Sequence, residues 1–353
     1  MKYITNINSQ NNQIILDRGM KMHQKNFVMK KCPTSMCHAS TLLKTKDGIL
    51  CAWFGGSKEG KPDVGIWLSS NKDGIWSEPV LFSHENEAHW NPVLFRTDTS
   101  EIYLFYKIGE KIDSWRTMLS HSSDDGKTWS APHELVSGDR GGRGPVRNKP
   151  IRLSSGRILA PASLEDGIWS AFADISDDGG KTWRKSGEVV IENLTASKTE
   201  KTVSESSIPV SEQSFYGRGV IQPTLWESSQ GKAHMLLRST EGRIYRSDSS
   251  DNGESWTYAY PTNLPNNNSG IDLVRLKNGD LYLVSNPVGE NWGKRSPISL
   301  DVSKDNGATW ERVCDLDSGD GEFSYPAIIT DEERLYISYT FKRENIAFHE
   351  IIL

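Results

Sequence analysis

The feature that most constrains this chain is a short segment that returns at nearly regular intervals. Ser122-Ser123-Asp124-Asp125-Gly126-Lys127-Thr128-Trp129 reappears as Ser176-Asp177-Asp178-Gly179-Gly180-Lys181-Thr182-Trp183. It returns again as Ser249-Ser250-Asp251-Asn252-Gly253-Glu254-Ser255-Trp256 and as Ser303-Lys304-Asp305-Asn306-Gly307-Ala308-Thr309-Trp310. A worn copy stands at Ser69-Ser70-Asn71-Lys72-Asp73-Gly74-Ile75-Trp76. The chemistry is that of a hairpin turn: Asp folds back onto nearby N–H groups, Gly supplies a positive φ, and Trp packs beneath. The aligned positions 71, 124, 178, 251 and 305 are 53, 54, 73 and 54 apart. A period near 50 with one such turn per unit predicts a β-propeller of four-stranded blades.

A second repeat sets the register. Asn91-Pro92-Val93-Leu94-Phe95, Lys149-Pro150-Ile151-Arg152-Leu153, Gln222-Pro223-Thr224-Leu225-Trp226 and Tyr325-Pro326-Ala327-Ile328-Ile329 are β-prone runs led by proline. Ala39-Ser40-Thr41-Leu42-Leu43 and Ile271-Asp272-Leu273-Val274-Arg275 fill the same slot without it. Proline is tolerated at the first residue of a strand, where its missing N–H is not yet needed. Six such inner strands predict an all-β, six-bladed β-propeller spanning 1–353 as one domain. The extra ~20 residues of the long interval map to 185–217, read as a loop extension between blades. Residues 1–34 are expected to supply a strand that closes the ring with the last blade.

Charge and composition exclude several functions. Lys plus Arg total 41 against 46 Asp plus Glu, a formal net charge of -5, which does not suit a general nucleic-acid binder. No apolar run is long enough to span a membrane, so no membrane partner is expected. The four cysteines are too few and scattered for a disulfide framework or a zinc site. With no secretory signal in the N-terminal residues, a cytoplasmic setting is the expectation. No Asp/Glu/His cluster has metal-ligand spacing, so no cofactor is expected.

The Asp-box hairpins on a six-bladed propeller resemble the sialidase superfamily over roughly residues 35 to 353. In that family the boxes lie on the face away from the active site, and three arginines hold the substrate carboxylate. The resemblance implies that Arg238, in Leu236-Leu237-Arg238-Ser239-Thr240, is the second arginine. It implies that Arg295, in Gly293-Lys294-Arg295-Ser296-Pro297, is the third. Tyr325, in Glu322-Phe323-Ser324-Tyr325-Pro326, stands where the family places its tyrosine nucleophile, and Asp63 occupies the loop of the acid aspartate, beside Glu59. Two positions depart from the pattern. His38 replaces the first arginine, and Gln222 stands where a glutamate should polarise the tyrosine. A neutral amide cannot take the tyrosine proton.

The remaining groups define what the site could do. Two arginines in a funnel suit a carboxylate, because the guanidinium fork matches it bidentately. A carboxylate neutralised in this way acidifies the adjacent C–H, as β-elimination of a uronic acid requires; His38 or His89 is then the expected base and Tyr325 the acid. Lys149, Arg147 and Gln222 are expected to contact substrate. Asn266-Asn267-Asn268-Ser269-Gly270-Ile271-Asp272 and Arg147-Asn148-Lys149-Pro150 resemble the sialidase-like subfamily that contains rhamnose–glucuronate lyases. The expected partner is therefore an acidic oligosaccharide, cleaved by elimination. The alternatives are an exo-sialidase with a rearranged arginine triad and a non-catalytic propeller that binds acidic glycans.

Overall fold

The structure, a computed structural model, describes residues 6–8, 13–16, 20–195 and 217–353. It is an almost purely β chain arranged as a propeller. The inner strands are Met36–Lys44, His89–Arg96, Ile151–Arg152, Arg218–Ser229, Asp272–Arg275 and Phe323–Thr330, and each opens an antiparallel unit. These are the segments the second repeat singles out. Apolar residues from facing sheets fill the wedges between units; Trp53, Trp169 and Trp226 are fully buried there.

Proline has a different place from the one expected. Pro92, Pro223 and Pro326 lie inside their strands, at register shifts between Trp90 and Val93, Ile221 and Thr224, and Ser324 and Ala327. A bulge leaves residues unpaired, so the missing N–H costs no ladder bond, and the bulge re-aims the preceding side chain. That preceding residue has a positive φ in each case: Asn91 (42°), Gln222 (50°) and Tyr325 (53°). Ala39 (54°) sits in the equivalent bulge of the first inner strand. Arg147 (71°) and Asn268 (58°) precede the two shorter inner strands. Left-handed non-glycine residues are strained, and strain that recurs at one ring of positions marks a place where side-chain direction matters.

From its bulge each inner strand runs away from this mouth, the second strand returns and the third runs away again. The hairpin after the third strand therefore lies at the opposite end, and it carries the repeat. In Asp124, Oδ1 accepts from Lys127 N, Thr128 N and Ser122 Oγ, and Oδ2 accepts from Thr128 Oγ1. Trp129 Nε1 donates to the Gly126 carbonyl at 3.1 Å. Much of the network repeats around Asp178, Asp251 and Asp305, so the boxes act as turn locks.

Lys21–His23 and Asn26–Phe27 both pair with Asn345–Ile352, adding the outer edge of the last sheet. In the long interval, Arg184–Lys185 pairs with Asp174 and Ile175, and Ile191 bridges to Ala259 of the next unit. The rest of the loop extension, 196–216, lies outside the described residues.

Candidate active site

The bulges turn Gln222 and Tyr325 into the mouth, where charged side chains from a second strand and from connecting loops and turns gather around them. Tyr325 is at its centre and is buried. Three guanidiniums surround its ring: Arg295 at 5.2 Å from the centroid, Arg147 at 5.5 Å and Arg238 at 5.6 Å. The His38 ring lies 4.2 Å away, centroid to centroid. Four of the expected residues thus converge on the fifth.

Arg238 is oriented on three sides. Its Nη1 donates to the Tyr325 phenol oxygen at 2.7 Å and to Gln222 Oε1 at 3.0 Å, while Nε donates to Asn268 Oδ1 at 2.9 Å. Its guanidinium also lies 5.9 Å from the Trp292 ring. The positive φ of Gln222 and Asn268 turns both amides toward it.

Arg295 is only partly engaged. Nη1 donates to Glu322 Oε1 at 2.7 Å, but Nε and Nη2 are buried and meet no partner among the described residues. Those two N–H groups form one edge of the planar fork, the edge that matches a carboxylate bidentately. Unpartnered buried donors are costly, so a fork left open in this way has the capacity to take a hydrogen-bond acceptor.

Sequence reasoning missed three residues of the cluster: Arg343, Glu322 and Glu165. Arg343 stands in a turn of two left-handed residues, Lys342 (54°) and Arg343 (58°). Its Nε donates to Glu322 Oε2 at 2.8 Å, Nη1 donates to Glu59 Oε2, and Nη2 faces His38 Nε2 at 3.4 Å. The signal was available in the hairpin register: Phe323 pairs with Phe341, which brings the turn at 342–344 beside Glu322. Glu322 thereby bridges two guanidiniums and also accepts from Ser324 Oγ at 2.6 Å. Burial alone would raise its carboxyl pKa, but Arg295 and Arg343 outweigh burial and hold it well below the usual carboxylate range.

His38 is locked. A guanidinium can only donate, so its contact assigns the lone pair to Nε2 and the proton to Nδ1, 2.9 Å from Thr340 Oγ1. Burial, then the positive charge of Arg343, depresses its pKa well below the ordinary value. It is a neutral imidazole with both nitrogens engaged.

Several expected contacts fall elsewhere. His89 does not reach the clamp. It is fully buried behind it, with Nδ1 at 2.9 Å from the Glu87 carbonyl, Nε2 at 3.1 Å from Ser83 Oγ, and its ring stacked on Tyr106. The strand begins at His89 itself, so its side chain points between two units and not into the mouth. Lys149 is committed to Asp272, with Nζ at 2.9 and 2.8 Å from the two carboxylate oxygens. Asp272 also accepts from Thr224 Oγ1 and Ile328 N, so this pair ties inner strands together. Arg147 lies beneath Tyr325 and donates to the carbonyls of Ser40 and Pro326, which makes it a support. Asp63 is exposed, and its carboxylate caps Ser57 N and Oγ at 2.9 Å each. Glu59, from the same loop, does reach the cluster through Arg343.

An all-β ring with Asp-box turns at one end and an arginine group around a tyrosine at the other defines a sialidase-type propeller. The chain belongs to the BNR repeat-like domain family, whose model matches residues 47–337. It is 26% identical over 328 residues to a sialidase of Bacteroides fragilis, a match covering 85% of this chain and 52% of that protein. The chain thus spans about half the length of that curated relative. Among solved structures it resembles a protein of unknown function from Dyadobacter fermentans, with a TM-score of 0.74 and 17% identity over 95% of this chain and 100% of that one. It also resembles Trypanosoma rangeli sialidase, with a TM-score of 0.69 and 15% identity over 95% of this chain and 60% of that one.

Proposed function

We propose that this propeller hydrolyses the glycosidic bond of a terminal carboxylate-bearing sugar of the sialic acid type. The observation that carries the reading is the open, buried Nε/Nη2 edge of Arg295 beside Tyr325. The sugar carboxylate occupies that edge, flanked by Arg238 and Arg343. Arg343 enters the mouth beside His38 and so makes up for the arginine that His38 replaces.

The phenol oxygen of Tyr325 then faces the anomeric carbon. Arg238 Nη1 fixes that oxygen in place, and a lone pair of the oxygen stabilises the positive charge that develops on the sugar as the bond breaks. The environment of His38 supports a positioning role. A base for uronate elimination needs a free ring nitrogen, whereas His38 holds Thr340 with one and meets Arg343 with the other. The 26% identity to a protein named sialidase points the same way.

The experiment is incubation with sialyllactose and, separately, with rhamnosyl-glucuronate oligosaccharides. The expected outcome is free sialic acid from the first and no rise in absorbance near 230 nm from the second. An unsaturated uronate product would restore the elimination reading; binding without turnover of either would leave a glycan-binding propeller.

A further inference from the structure

The carboxylates in and around the cluster are not equivalent. Glu322 is bound by Arg295 and Arg343, Glu59 by Arg343, and Asp272, deeper in the ring, by Lys149. Asp63 caps a loop. Among the described residues, Glu165 alone at the mouth has no cation in contact. Its hydrogen-bond partner among the described residues is Gln222, whose Nε2 lies 3.4 Å from Oε1. Gln222 passes the connection on to Arg238, and Arg238 to Tyr325. Glu165 therefore sits on the wall of the mouth, linked to the tyrosine through two residues, Gln222 and Arg238, in the turn between Ile158–Leu164 and Ile168–Ser176.

We propose that Glu165 is the acid that protonates the departing glycosidic oxygen, in place of Asp63 in the first loop; this rests on the hydrolase reading above. As the C–O bond breaks, its electron pair goes to the leaving oxygen and the Glu165 proton follows. Water then supplies hydroxide to the anomeric carbon and releases its other proton, and Glu165 is re-protonated from solvent, so atoms and charge balance. Such an acid must keep its proton at working pH. The groups that face Glu165 are Gln222, Arg238 and Glu59. Burial raises its pKa above the ordinary glutamate value and Glu59 adds to the rise, while Arg238 and the Gln222 amide oppose it. Two carboxylates with opposed environments, one held by arginine and one without a cation in contact, divide into a charged partner and a proton carrier.

The test is Glu165→Gln, which keeps shape and the contact with Gln222, assayed on two sialosides. Sialyllactose has a sugar leaving group that needs a proton; the 4-nitrophenyl sialoside does not. The variant should lose at least ~10²-fold in kcat on sialyllactose, the low end for a positioned acid, and less than about tenfold on the nitrophenyl substrate. The alkaline limb of the wild-type pH profile should vanish. Equal losses on both substrates, or an unchanged alkaline limb, would overturn the assignment. If wild type cleaves neither substrate, the hydrolase reading fails and the assignment of Glu165 as its acid falls with it; an active wild type with equal losses in Glu165→Gln overturns the assignment alone.

Discussion

Arg238 Nη1 stands 2.7 Å from the phenol oxygen of Tyr325, the shortest link between a guanidinium and the tyrosine at the propeller mouth. One cation thus touches the phenol and is itself fixed by Gln222 and Asn268. Removing it should affect the transition state more than ground-state binding. Arg238→Ala is expected to cost at least ~2 kcal/mol, roughly thirtyfold in kcat/KM, most of it in kcat. Steady-state kinetics on an aryl sialoside reads this, and a loss confined to KM would show that Arg238 only binds.

His38 and His89 separate a positioning role from a structural one. His38→Phe frees Arg343 Nη2 and removes the link to Thr340, so activity should fall about tenfold, without the larger loss that removal of a catalytic base brings. His89→Ala should leave kcat of the folded fraction unchanged but lower stability by about 1–3 kcal/mol, because Ser83 and the Glu87 carbonyl lose a buried partner. Thermal unfolding together with kinetics distinguishes the two.

The turn locks should matter for stability alone. Trp129 and Trp183 are half-buried, so truncation to Ala should cost about 1–3 kcal/mol, less than a fully buried tryptophan. The folded fraction should keep its KM, since the boxes lie at the far end. A stable variant that loses substrate binding would contradict that placement.

Acid should destabilise the last unit through His349. It is buried against Tyr339, and burial pulls its pKa down to about 4. A depressed folded value means that the stabilisation is complete above the ordinary 6.5 and is lost as pH falls toward 4. At 1.36 kcal/mol per pH unit this approaches about 3 kcal/mol. The melting temperature of wild type should therefore fall more steeply than that of His349→Gln between pH 6.5 and 4; parallel curves would exclude His349 as the cause.

The repeat made the propeller legible because a hairpin turn is local: Asp, Gly and Trp carry their geometry within a few residues. The order of Arg238, Arg295 and Tyr325 along the chain was enough to bring them to one site. Arg343 and Glu322 were hidden because their meeting depends on strand register and on a left-handed turn that neither Lys342 nor Arg343 advertises. His89 misled for a related reason, since one position along a strand reverses the face a side chain takes. Lys149 looked like a free cation until Asp272, 123 residues away in the chain, was placed beside it.

If the proposed hydrolase function holds, the open edge of Arg295 takes a sugar carboxylate. The most direct measurement is calorimetric binding of an unsaturated sialic acid analogue and of its methyl ester, to wild type and to Arg295→Ala. The acid should bind wild type at least ~30-fold more tightly than the ester, about 2 kcal/mol, and Arg295→Ala should abolish most of that difference. Equal affinity for acid and ester in wild type would contradict the account.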